Sequence, residues 1–261
     1  METKSRVGQL TVDQMEEVLK LIPVLEVQRK ELVGLFSVGS KKSAEMLAPG
    51  LAWADLYQIP FEKMIEYYLD VSSLRKFALD ISRSADPYEE LKKLDSHPDY
   101  QDWNGGTDGL YGPQHLVGIL FCICASLESL LLYGEYVSNL LANFLNQSDD
   151  HSLFKAVRID PSVITTRVVS QRVALAVATG DGIFFRNLQN AFKGKTGKQA
   201  RYLKKFRFLM QVLTDQGQQD LPAAEIRALA IHLDAYADTS GAEKNLTELI
   251  RKFRKNKTIS K

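Results

Sequence analysis

Residues 114–146 constrain this chain more than any other stretch. The run opens after Pro113 with Gln114 and His115 and carries no charge from Leu116 to Ala125. It continues through Leu130, Leu131 and Leu132 to Phe144 and Leu145. No other segment is as long or as apolar. As one helix it would reach about 50 Å, and its apolar residues lie nearly all the way round, the mark of a helix buried on most sides. The expectation is an all-α, multi-helix bundle packed around this long central apolar helix, residues 114–146. A membrane span needs roughly 20 predominantly apolar residues. Here Glu128 and Glu135 interrupt the run, so no membrane partner is expected. Gly118, Ala125, Glu128, Ser129, Glu135 and Asn139 fall loosely on one third of the helix. That stripe suits close packing, with the glutamates paired or near an exposed end.

Helical signals recur on both sides of the run. Thr11 and Gln14 have the spacing of a capping box, and Met15, Val18, Leu19 and Ile22 follow with helical period. Pro23 is expected to kink or interrupt that helix. Short helices are expected over 43–48 and 51–59, then a face of Phe61, Ile65, Tyr68 and Leu69 with a bend or break at 70–73. Asp86–Pro87 opens a charged helix through Leu94. Residues 95–113 form a loop rich in Gly, Asp and aromatics, and a long irregular stretch of that kind is often functional. After the central run, 147–151 reads as a turn and Asp160–Pro161 as the next helix start. Helices are then expected over 162–178, 183–192, 198–214, 222–237 and 242–255.

Charge divides the chain. Residues 181–261 hold 16 Lys and Arg against 8 Asp and Glu, which leaves 17 against 24 in residues 1–180. The expected organisation is an acidic helical bundle over 1–180 that includes the central helix, and a basic helical subregion over 181–261 packed on it as one unit. From Gly182 to Thr214 there is no acidic residue at all. Lys193, Lys195, Lys198, Arg201, Lys204 and Lys205 are the candidate contacts, and Lys198, Arg201 and Lys205 share one helix face. Such clusters neutralise phosphate backbones or meet an acidic protein surface. Phe184, Phe185, Arg186 and Tyr202 interleave aromatic and basic groups, a pattern that can stack bases.

Several other chemistries fail at the level of spacing. Lys193-Gly-Lys-Thr-Gly-Lys198 lacks a phosphate loop's first glycine, since Phe192 stands there, and has Gln199 where Ser or Thr is needed. Asp102 to Gly109 resembles a calcium loop, but Gly106 takes a ligand place and Pro113 replaces the closing glutamate. None of the four histidines has a glutamate three residues before it, which a di-iron bundle would require. No His or Cys pair has zinc spacing. Cys122 and Cys124 point about 160° apart on a helix, so they are expected as buried thiols, which suits a reducing cytoplasm. Met1 to Gly8 is polar with no short apolar run behind it, so a secretory leader is not expected. No metal or cofactor is expected.

Arg227-Ala-Leu-Ala-Ile-His232 resembles the Arg-x4-6-His motif of the HEPN family, all-α proteins that are often ribonucleases. The resemblance implies that Arg227 and His232 would bind and cleave RNA at a dimer interface. Histidine is suited to acid or base work near neutral pH. The motif covers six residues of this chain, and Ala228 stands where a polar residue often follows the arginine. The leading expectation is therefore a non-enzymatic cytoplasmic binding protein whose basic C-terminal helices contact nucleic acid or an acidic protein partner. A HEPN-like ribonuclease using Arg227 and His232 is the alternative, and a membrane-active helical bundle is the second alternative.

Overall fold

Thr11 and Gln14 decide where the first helix begins. The Gln14 amide donates to Thr11 Oγ1 at 3.2 Å and the Thr11 amide donates to Gln14 Oε1 at 2.9 Å. This is the reciprocal capping box that the spacing predicts. The computed structural model describes residues 6–35, 53–93, 96, 98, 113–193, 201–236 and 242–259. A short ribbon pairs β1 (Arg6–Val7) antiparallel with β2 (Leu10–Thr11), and α1 (Val12–Leu35) follows. Pro23 lies inside α1 and does not end it. The lost amide costs one intrahelical bond, and the buried stripe of Val12, Met15, Leu19 and Ile22 holds the helix around it.

Among the described residues the chain is an all-α multi-helix bundle, with that ribbon as its only β-structure. Its contacts group it into two units, Met1–Arg29 with Ala125–Lys261, and Lys30–Cys124. The charge boundary expected at residue 180 therefore falls inside the first unit.

In the Lys30–Cys124 unit, a 3-10 turn (Trp53–Gln58) stands where a helix over 51–59 is expected. Then come α2 (Phe61–Val71), α3 (Arg75–Arg83) and α4 (Pro87–Lys92). Of the bend or break expected at 70–73, the structure shows a break. Ser73 takes φ +57, the Leu74 amide closes back on Leu69 O at 2.8 Å, and Arg75 grips Asp70 across the gap. Asp86 caps α4 by accepting from the Glu89 amide. The helix expected over 43–48 and nearly all of the Gly/aromatic loop 95–113 lie outside the described residues.

The central apolar run is two helices rather than one of 33 residues. They are α5 (Pro113–Tyr133) and α6 (Val137–Gln147). Gly134 makes the break. Its amide donates to Leu130 O at 2.8 Å, and its φ is +79, a left-handed value that glycine adopts without a Cβ penalty. Both halves are core: Cys122, Ala125 and Leu130 in α5 and Val137, Leu140 and Phe144 in α6 are buried. Among the described residues, Leu116–Tyr133 is long and apolar enough to cross a membrane by length and composition, and 67% of it is buried inside the fold. Both interrupting glutamates have partners. Arg29, on α1, donates to Glu128 at 2.9 Å, and Asn143 donates to Glu135 at 2.8 Å.

Directly after the expected turn, and overlapping its last two residues, stands a helix not expected from the sequence: α7 (Asp150–Ile159). Asp149 caps it by accepting from the His151 amide at 3.0 Å. Its buried Leu153, Phe154, Ala156 and Val157 are packed against α6 and the elements that follow. Asp160 and Pro161 do begin an element, a 3-10 turn (Pro161–Thr165), and α8 (Arg167–Thr179) starts only after it. The chain closes with α9 (Gly182–Phe192), α10 (Arg201–Asp215), α11 (Ala223–His232) and α12 (Ala242–Ile259).

Gly134→Ala tests the break. The nearest side-chain atoms to an added Cβ would be 3.9 Å away, so the cost is conformational. A loss of about 1–2 kcal/mol is expected in urea unfolding. No loss would mean that the turn does not depend on its left-handed residue.

Candidate functional site

The basic run 182–214 is divided between two helices with opposite surroundings. α10 is an interior helix. From Leu203 to Thr214 no residue of it is exposed, and Phe206, Leu209, Met210 and Leu213 are fully buried. They pack with α1, α11 and α12. The cations of this stretch, Lys204, Lys205 and Arg207, are therefore held at the rim of the core and bonded internally. Lys204 pairs with Glu26 on α1. Lys205 donates to Asp234 Oδ2 at 2.7 Å and to the Asp234 carbonyl at 3.1 Å. Arg207 donates to the carbonyls of Leu131, at 2.9 Å, and Leu132. Those are last-turn carbonyls of α5, where a cation also meets the negative end of the helix dipole. Burial pushes the Arg207 guanidinium below its ordinary pKa. Arg254 likewise donates to the carbonyls of Gln219 and Leu221.

Of the six candidate contacts, then, Lys204 and Lys205 are engaged within the fold. Arg201 opens α10, and Lys195 and Lys198 lie outside the described residues. Lys193 is exposed at the end of α9 and donates to Asn190 Oδ1 at 3.2 Å.

Lys204 and Lys205 border a cavity of about 440 Å³ that is also lined by Glu16, Leu19, Glu26, His232 and Asp234. Glu26 and Asp234 are not visible as site residues in the sequence, because they lie 178 and 29 positions from their lysines. His232 reaches this cavity and Arg227 does not line it. Five residues apart on α11, the two point about 140° away from each other. The structure does not bring them together within one chain. Among the described residues no group of three His, Cys, Asp or Glu side chains could hold a metal ion. Cys122 and Cys124 are buried thiols.

α9 is the exposed basic helix. Asp181 starts it by accepting from the Phe184 amide at 2.9 Å, and Arg172 clamps the same carboxylate at 3.1 Å and Asp150 at 2.6 Å. The Phe184 amide, and then Arg172, hold the Asp181 carboxyl below the usual carboxylate range. Phe184, Leu188 and Ala191 are its buried stripe. The Phe184 ring stacks 5.5 Å from Phe154, with Arg172 over it at 4.1 Å. Phe184 is thus core. Phe185, Arg186, Gln189, Asn190, Phe192 and Lys193 remain exposed. Arg186 has no ion-pair partner among the described residues. Of the interleaved set, Tyr202 belongs to α10.

Two measurements follow from these contacts. Arg207→Met strips the Leu131 and Leu132 carbonyls of their donor, and a loss of about 1–3 kcal/mol is expected in urea unfolding. Because the Asp181 pKa is lowered by folding, its stabilising contribution is complete above the ordinary carboxylate pKa. That contribution is lost as pH falls through the folded value. Asp181→Asn should flatten that acid limb in a pH-resolved unfolding series; an unchanged limb would mean that Asp181 plays no part in it.

Set against known proteins, the chain matches no protein family, no curated protein and no solved structure.

Proposed function

We propose that this chain is a non-enzymatic cytoplasmic protein whose basic C-terminal helices contact nucleic acid or an acidic protein partner. One observation carries this: thirty-three consecutive residues, 182–214, contain no acidic side chain, and their exposed part on α9 presents Arg186 and Lys193 to solvent. A cationic surface without interspersed carboxylates attracts polyanions and releases their counterions on contact, so binding falls steeply with salt. Lys193, Lys195, Lys198 and Arg201 supply the contact together with Arg186.

Lys204 and Lys205 contribute less in the resting fold, because Glu26 and Asp234 already neutralise them. Asp234 lies 92% exposed, and exposed pairs hold weakly against solvent and salt. A polyanion that displaces these two carboxylates recruits both lysines.

The test is a salt series on the intact chain with RNA, DNA and polyglutamate. Reversing Lys193, Lys195, Lys198 and Arg201 to Glu should lower affinity at least about tenfold and reduce the salt slope by about one for each lost phosphate contact. Glu26→Gln with Asp234→Asn should act in the opposite direction and tighten binding. Unchanged binding in the charge-reversal variant would overturn the proposal. RNA cleavage by the intact chain that disappears in His232→Ala would replace it with a catalytic function.

A further inference from the structure

The exposed face of α9 repeats itself. Phe185 and Arg186 are followed seven residues later by Phe192 and Lys193. Seven residues make close to two helical turns, so the second doublet stands on the same side as the first, about 10 Å further along the axis. Gln189 and Asn190 lie between the doublets and are exposed. The rotation of the helix is settled by Phe184, Leu188 and Ala191, which face the core. Phe185 is 36% exposed and Phe192 42%. Two half-exposed aromatic rings in register with two cations are a different arrangement from a solvated charged face, where aromatic area would go unused.

The Phe185 ring is also oriented in advance. It meets the edge of the Phe184 ring at 5.7 Å and 83°, and Phe184 is itself packed by Phe154 and Arg172. A contact ring already held in place loses less freedom on binding. The cations beside the rings are available. Lys193 donates to the neutral Asn190 amide, which a phosphate can displace. No carboxylate from 182–214 competes for Arg186.

We propose that this face is a platform for single-stranded nucleic acid, on which Phe185 and Phe192 each stack against a base while Arg186 and Lys193 each meet a phosphate. It rests on the nucleic-acid half of the proposed function and adds the strandedness and the residues. In a duplex the base faces are stacked on one another and closed to a side-chain ring. A single strand splays them open and carries its phosphates alongside. An acidic protein surface would satisfy Arg186 and Lys193 but offers nothing specific to a repeated Phe–cation pair. A nucleotide supplies both groups at once. Gln189 and Asn190, each with donor and acceptor, are placed to meet base edges between the two stacks.

The experiment uses the intact chain with oligouridine, its duplex with oligoadenosine, and polyglutamate, each across a salt series. The single strand should bind more tightly than the duplex. Phe185→Ala and Phe192→Ala should each weaken single-strand binding about fivefold or more while leaving the salt slope unchanged. Phe185→Trp and Phe192→Trp should retain binding. Arg186→Gln and Lys193→Gln should each lower the slope by about one. All four side chains are exposed, so the unfolding midpoint of each variant should match the parent, and variants that fail this control are replaced by the Trp series. Equal affinity for duplex and single strand, or alanine variants that bind oligouridine as the parent does, would overturn the platform and leave the broader proposal standing. An intact chain that binds polyglutamate and neither RNA form would overturn the nucleic-acid half itself.

Discussion

Burial of α10 is the constraint on which the rest of the described structure around it depends. Phe206, Leu209, Met210 and Leu213 are fully enclosed, and each such side chain contributes roughly 1.5–3 kcal/mol when removed from water. They draw α1, α11 and α12 around one helix. Its enclosed stretch, 203–214, also carries three cations, Lys204, Lys205 and Arg207. Enclosing them would be prohibitive unless each found a partner, and each did: a glutamate of α1, an aspartate and its own carbonyl beyond α11, and the last carbonyls of α5. The charged groups thereby help fix where α1, α5 and α11 meet α10.

Basic residues in the C-terminal part consequently do two kinds of work. Arg207 on α10 and Arg254 on α12 close helix-end and loop carbonyls, and Lys204 and Lys205 pair with carboxylates. Those on α9 stay at the surface because α9 buries only a narrow stripe, Phe184, Leu188 and Ala191, against α7 and α8. An α9 turned by a third of a revolution would hide Phe185 and Phe192 and expose Phe184. Its rotation is set by that buried stripe, and Asp181 fixes where the helix starts by holding the Phe184 amide and Arg172 on one carboxylate.

Much of the fold was legible because its causes are local. The capping box at Thr11 and Gln14, the Asp86 cap, and the apolar periods of α1 and α10 formed as their spacing predicts. Other features were not. The apolar run 114–146 reads as one helix because Gly134 is compatible with helix; only the close of α5 on Leu130 and the turn into α6 give it φ +79. α7 was missed because Asp149 and Asp150 look like turn residues, and the period of Leu153, Phe154, Ala156 and Val157 is short. Its helix is held by packing on α6 and α9.

For the candidate site, the sequence by itself determined the charge inventory: an acid-free stretch from 182 to 214 and the aromatic residues within it. It also determined that the chain would be helical, since capping and apolar period act within a few residues of each other. Which cations would be spent inside the fold was decided only in three dimensions, because Glu26 and Asp234 become neighbours of Lys204 and Lys205 only after α1, α10 and α11 pack together. Pairing across long sequence separations is a property of packing, and packing answers to the whole set of buried surfaces at once.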